Sequence, residues 1–224
     1  MEIVLIYIAM LLLPIIATIR VKSAYRKFTK VRNTSGMTGC EVAHKILSEN
    51  GLDNVYVVET NRGEMSDHYD PTRKTVRLSP EVFNTDSISA MAIAAHECGH
   101  AIQDKEGYSW MRFRSSIYPI VSFGSNIAYY VLLAGIFFQL LDLIYIAIAL
   151  TCLGLLFQIV TLPVEFDASK RAKKILYDDG LVDKKEQNGV DKVLNSAAFT
   201  YVAGVLSSAL DVLYLILRYT ERRD

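Results

Sequence analysis

Apolar residues in this chain come in long uncharged blocks rather than in the short periodic stripes of a water-soluble domain. Residues 3–19, IVLIYIAMLLLPIIATI, carry no charge. Such a run is long enough to span a hydrocarbon core of roughly 30 Å. Glu2 stands in front of it, and Arg20, Lys22, Arg26, Lys27, Lys30 and Arg32 follow. A secretory signal has the reverse arrangement, with positive charge ahead and a small-residue cleavage site behind. A retained anchor over 1–19 is therefore expected. Residues 116–139 and 143–164 are two further uncharged spans, joined through Gln139-Leu140-Leu141-Asp142 with Asp142 the single charge. Spans joined this tightly predict a transmembrane helical hairpin over 116–164, tipped near Asp142. So much uncharged sequence exceeds what a soluble core of this size takes in. A fourth apolar block, 197–217, is broken by Asp211. It spans, lies at the interface or packs on the hairpin, so three to four transmembrane helices are expected.

Lys and Arg near the span ends set the orientation. The cluster at 20–32 follows the first span; Lys105, Arg112 and Arg114 precede the second; Lys170, Arg171, Lys173 and Lys174 follow the third. One crossing and a returning hairpin put all three groups on one side, the cytoplasm. A fourth span leaves Arg218, Arg222 and Arg223 outside, against that rule.

The polar stretch between anchor and hairpin reads as a small α+β unit. Thr38-Gly39-Cys40-Glu41 has the form of a capping box, and the helix it opens runs to the stop pair Asn50-Gly51. Val55–Glu59 and Thr75–Leu78 read as strands, the second following a turn at Asp70-Pro71-Thr72-Arg73-Lys74. Ser79-Pro80 places a cap and then Pro at a first helical position. A longer helix follows over 87–106 and stops at Gly107.

Composition narrows the reading. The chain has 224 residues, 51% of them hydrophobic and 21% charged, with 24 Lys+Arg against 24 Asp+Glu. Disorder is excluded by that balance, and so is nucleic-acid binding through a strong basic field. Cys40, Cys98 and Cys152 are too far apart for a disulfide framework or a CxxC cluster. Free thiols favour a reducing compartment.

The helix over 87–106 contains His96-Glu97-Cys98-Gly99-His100, the pattern H-E-x-x-H. Residues four apart share a helix face, so both imidazoles reach one metal. Glu97 lies about 100° further round, where it addresses a water rather than the metal. Zinc held there brings the pKa of that water towards 7. Glu97 then takes the water's proton and passes it to the leaving amine. Cys98 points about 200° away from His96 and reads as a buried thiol. Small residues at Ala90, Ala92, Ala94, Ala95, Gly99 and Ala101 let another helix pack closely beneath.

A catalytic zinc site needs a third protein ligand. The remaining histidines are His44 and His68, and no H-x-x-G-x-x-H extension follows the motif. A carboxylate is expected, and Glu165, just after Pro163 at the end of the third span, is the best candidate. Glu165, Ser169 and Ala172 share a helix face that Ala168 borders, while Asp167 points roughly the other way. A solvated charge is the plain alternative for Glu165.

Several stretches carry a family resemblance: Met65-Ser66-Asp67-His68-Tyr69-Asp70-Pro71, Val76-Arg77-Leu78-Ser79-Pro80, Ala94 through Gln103, and Pro163-Val164-Glu165-Phe166-Asp167-Ala168-Ser169. In these the chain resembles the YugP-like neutral zinc metallopeptidases, bacterial membrane proteins of the gluzincin type, over nearly its whole length. It is more distantly similar to the HtpX and CAAX-protease group. The resemblance implies one zinc held by His96, His100 and Glu165, with Glu97 as catalytic base, in a bacterial inner membrane. In the distant group the ligand helix usually reads E-x-x-A-D, its Asp orienting a zinc-bound His. Here Ser169 takes that place, a weaker partner for an imidazole N–H.

The expected architecture is a mainly α membrane protein with three to four transmembrane helices and a small cytoplasmic α+β zincin-like metalloprotease unit. Its parts are the anchor (1–19), the α+β unit (20–115), the hairpin (116–164), a cytoplasmic helix with the third ligand (165–196) and an apolar C-terminal helix (197–224). Expected partners are a polypeptide substrate, membrane-associated, and the lipid bilayer, with no nucleic acid. An oxyanion donor is sought in His68 or Tyr201. Thr75–Leu78 offers an edge for strand addition by a peptide. The competing reading is a non-catalytic zinc-binding membrane scaffold. A structural site is normally closed by four ligands, and neither a fourth His nor paired Cys is positioned to close this one.

Overall fold

The computed structural model describes residues 2–220. Arg222 and Arg223, whose charges bear on the orientation above, lie outside the described residues. Among the described residues seven helices and three strands follow one another: α1 (Glu2–Phe28), α2 (Gly39–Glu49), β1 (Tyr56–Glu59), β2 (His68–Asp70), β3 (Thr75–Leu78), α3 (Pro80–Phe83), α4 (Ile88–Lys105), α5 (Ser109–Phe137), α6 (Leu141–Asp178) and α7 (Gln187–Thr220). Four of them, α1, α5, α6 and α7, are long and apolar enough to cross a membrane. The shortest of the four, α1, has 27 residues, a rise of about 40 Å. The block broken by Asp211 is thus a stretch of unbroken helix. The chain divides into two compact units, one of residues 1–18, 112–163 and 200–224, the other of 19–111 and 164–199.

In the first unit many large apolar side chains point outward, beside a small buried cluster at Ile144, Ile148 and Leu215. Phe137 is 80% exposed, Phe123 69% and Ile120 67%. Water would charge heavily for such surface; lipid would not. Polar groups turn inward instead: Gln158 Nε2 donates to Ser208 Oγ at 2.6 Å and Ser207 Oγ to the Met10 carbonyl at 3.2 Å. α5 and α6 follow one another as a helical hairpin. Gln139, at φ +55°, turns the chain between α5 and α6. Gly135 permits the turn to close, since a Cβ there would lie 2.8 Å from Ile144 Cγ1.

The second unit is the α+β layer. Thr38 and Glu41 form the predicted capping box at the start of α2. Ser87 caps α4 by accepting from the Ala90 N–H at 3.1 Å. The buried faces of α2, α4 and the sheet share one core, with Ile46, Leu78, Met91, Leu176 and Leu194 among its fully enclosed side chains.

The sheet order is β1-β3-β2, with β1 parallel and β2 antiparallel to β3. This corrects the expectation that Thr75–Leu78 is a free edge. β3 is central, both its sides are hydrogen-bonded, and the outer strands are β1 and β2. The β2–β3 turn is built locally. Asp70 Oδ1 accepts from the Thr72 and Arg73 N–H groups at 3.0 and 3.1 Å, and Lys74 takes a left-handed φ of +47°.

Candidate metal centre

Two helices of the second unit bring the site together. Gly99 on α4 faces Ala168 on α6, and a Cβ on Gly99 would sit 2.8 Å from the Ala168 carbonyl oxygen and 3.2 Å from its Cα. The backbones therefore touch where the small residues of both helices meet. Three residues of α6 before Ala168 stands Glu165. Its Oε2 lies 3.3 Å from His96 Nε2 and 3.5 Å from His100 Nε2. One ligand atom from each of these residues falls within 4.8 Å of the other two. Glu165 and His100 are buried and His96 nearly so.

The hydrogen bonds around this trio fix how the imidazoles point. Gln103, fully buried, donates through Nε2 to the Val164 carbonyl and to Asp167 Oδ2, both at 2.8 Å. Its Oε1 therefore faces His100 Nδ1, at 3.0 Å. A carbonyl oxygen only accepts, so His100 carries its proton on Nδ1 and turns the Nε2 lone pair towards Glu165. His96 Nδ1 meets the Ser169 hydroxyl at 3.2 Å, and a hydroxyl can accept there in the same way.

Two imidazole lone pairs and a carboxylate converging on one buried point repel one another unless a cation lies between them. This donor set suits a zinc ion. With no metal between them, a proton on His100 relieves the same repulsion. Burial opposes a charge on the ring, but the Glu165 carboxylate overrides it, with Glu97 and Gln103 adding to the effect, so its pKa lies above the ordinary histidine value.

Glu97 is 7% exposed, and its carboxylate has no hydrogen-bond or ion-pair partner among the described residues. Cys98 is enclosed on the opposite side of α4, its thiol against the Ala43 carbonyl at 3.7 Å, and burial pushes its pKa far up. The alternative ligand Asp167 is engaged elsewhere, accepting from Gln103 and from Arg171 Nε. His68 is on β2, its Nδ1 2.8 Å from the Ser66 carbonyl. Tyr201 is on α7, in the other compact unit.

Sequence reasoning missed Gln103, although its place three residues after His100 on one helix was a usable signal. It also missed Asp67, whose carboxylate accepts from the Ser79 N–H at 2.7 Å and the Ser79 hydroxyl at 3.0 Å. Burial raises the pKa of Asp67 to about 6; the Ser79 hydrogen bonds pull against it and the Glu97 charge adds to it.

Comparison with known proteins agrees with this chemistry. The chain is 46% identical over 208 residues to "Putative membrane protease YugP" of Bacillus subtilis (strain 168), covering 93% of this chain and 92% of that one. No solved structure matches it. The family model described as "Putative neutral zinc metallopeptidase" matches residues 3–220. That match takes in both the motif helix and the helix of Glu165, and the chain belongs to this neutral zinc metallopeptidase family.

Proposed function

We propose that the protein is an integral-membrane zinc endopeptidase, with its α+β unit on the cytoplasmic side of a bacterial inner membrane. The observation that carries this reading is the convergence of His96 Nε2, His100 Nε2 and Glu165 Oε2 on one point, with the unpaired Glu97 carboxylate one residue along the same helix. The clustering of Lys and Arg at 20–32, 105–114 and 170–174 supports the orientation.

His96, His100 and Glu165 hold one zinc, while Ser169 and Gln103 keep the two imidazoles in the right tautomer and orientation. When bound, zinc supplies a Lewis acid that polarises the scissile carbonyl and acidifies a water. Glu97 takes the proton from the attacking water as its oxygen adds to the carbonyl carbon. The same carboxylate then gives that proton to the amine nitrogen as the C–N bond breaks. Polypeptides in or at the membrane are the substrates. An extended stretch of substrate has an outer strand of the sheet, β1 or β2, to pair with.

The test is metal content and casein cleavage on detergent-purified wild type, Glu97→Gln and Glu165→Ala. Wild type holds one zinc and cleaves. Glu97→Gln holds zinc and loses turnover by at least about a hundredfold. Glu165→Ala loses the metal. Cleavage by Glu97→Gln at the wild-type rate would sink the assignment.

A further inference from the structure

The first unit holds an open-sided cavity of about 720 Å³ whose walls come from all four membrane-length helices. Its chemistry is unlike the lipid-facing surface around it. Along α7 the cavity face presents Ser207 and Ser208, then Asp211, then Tyr214, the three- and four-residue spacing of one helix side. Opposite, Gln158 of α6 is held by Ser208, and the Tyr7 ring of α1 meets Tyr214 edge to face at 5.8 Å. The Asp211 carboxylate is half-buried and has no hydrogen-bond or ion-pair partner among the described residues. A carboxylate at bilayer depth without a partner is expensive, and such residues pair with a cation or mark a functional path.

We propose that this cavity receives a transmembrane segment of a polypeptide substrate and that Asp211 is the counter-ion for a lysine ammonium within that segment. The proposal rests on the endopeptidase reading and names a feature of its substrates. Charge complementarity selects a cation. The volume exceeds what a lone ion fills. Small wall residues, Gly154, Ser125 and Ala128, favour a helix over a lipid tail, because helices associate in membranes through small side chains and interhelical hydrogen bonds. A span bearing an unpaired lysine is poorly settled in lipid on its own. The cavity therefore favours membrane polypeptides that have not found their own partners.

The experiment reads binding rather than cleavage, so it stands apart from the test of the peptidase reading. Zinc-loaded Glu97→Gln protein in phosphatidylcholine bicelles is titrated with fluorescent single-span peptides. These are identical apolar segments with lysine or norleucine at the centre. The lysine peptide binds on the order of tenfold more tightly, about 1.4 kcal/mol. The Glu97→Gln/Asp211→Asn protein shows no preference between the two. Asp211→Asn alone keeps its zinc content and its unfolding midpoint, which shows that it folds. Equal binding of the two peptides to the Asp211-containing protein, a reading that needs no second variant, overturns the proposal. So does a lysine preference that survives Asp211→Asn. Loss of the preference when ethanolamine lipid replaces phosphatidylcholine makes a headgroup the occupant and likewise overturns it.

Discussion

Gln103→Leu is the sharpest probe of the metal centre, because the substitution keeps the volume and removes three polar contacts. Gln103 is fully buried, so water cannot take its place. The His100 Nδ1–H loses its acceptor, the 3.0 Å contact to Oε1, and is left orphaned. The Val164 carbonyl keeps its place in the middle of α6, and Asp167 keeps Arg171, so each loses one bond of two. An orphaned buried donor costs about 1–3 kcal/mol and each lost bond about 1 kcal/mol, so the metal-free protein loses roughly 3–5 kcal/mol. The imidazole is also released to rotate or to move its proton to Nε2, where it cannot bind metal. Partners of this kind are worth about 10–100-fold in metal affinity. Zinc competition against a chelator of known affinity measures the second effect, and denaturant unfolding of the chelated protein measures the first. Zinc binding within about twofold of wild type would refute the claim that Gln103 sets the His100 tautomer.

Two other perturbations test neighbouring parts of the unit. Gly99→Ala drives a methyl to within 2.8 Å of the Ala168 carbonyl oxygen. The two backbones must part by roughly half an ångström, costing about 1–3 kcal/mol, and a metal site tolerates only about 0.2 Å. The variant should fold with a lower unfolding midpoint and release zinc to a weaker chelator. Asp67 predicts a pH dependence. Its folded pKa of about 6 lies above the ordinary 3.8, so its stabilising contribution is complete below the lower value and lost as pH rises through the upper one. Against Asp67→Asn, with both proteins chelated, the wild type should lose about 2 kcal/mol between pH 4 and pH 7. A flat difference across that range would remove the buried-charge account.

What the sequence revealed and what it hid follow from the range of each interaction. The capping box at Thr38, Pro80 at the start of α3, the tight turn near Asp142 and the shared face of His96 and His100 are local patterns, and each is present, although the Ser79 side chain bonds Asp67 instead of capping α3. Glu165 was legible because helix periodicity and small neighbours marked one face of its segment. The sheet order was not legible. β2 is three residues long, too short for any alternation to register, and its pairing placed β3 in the centre. α7 was ambiguous because Asp211 breaks the hydropathy. Its role as a cavity wall depends on what the other helices present, and no local pattern encodes that.

The contacts of Gln103 also bear on the life of the protein in a cell whose supply of zinc fluctuates. The bonds from Gln103 to His100, Val164 and Asp167, and from Ser169 to His96, involve protein atoms alone. The entropy of ordering the ligands is therefore spent during folding rather than at metal capture. Under the proposed function, a chain made during scarcity is a finished receptor awaiting its ion, and activity returns at the speed of metal delivery instead of at the speed of new synthesis and membrane insertion.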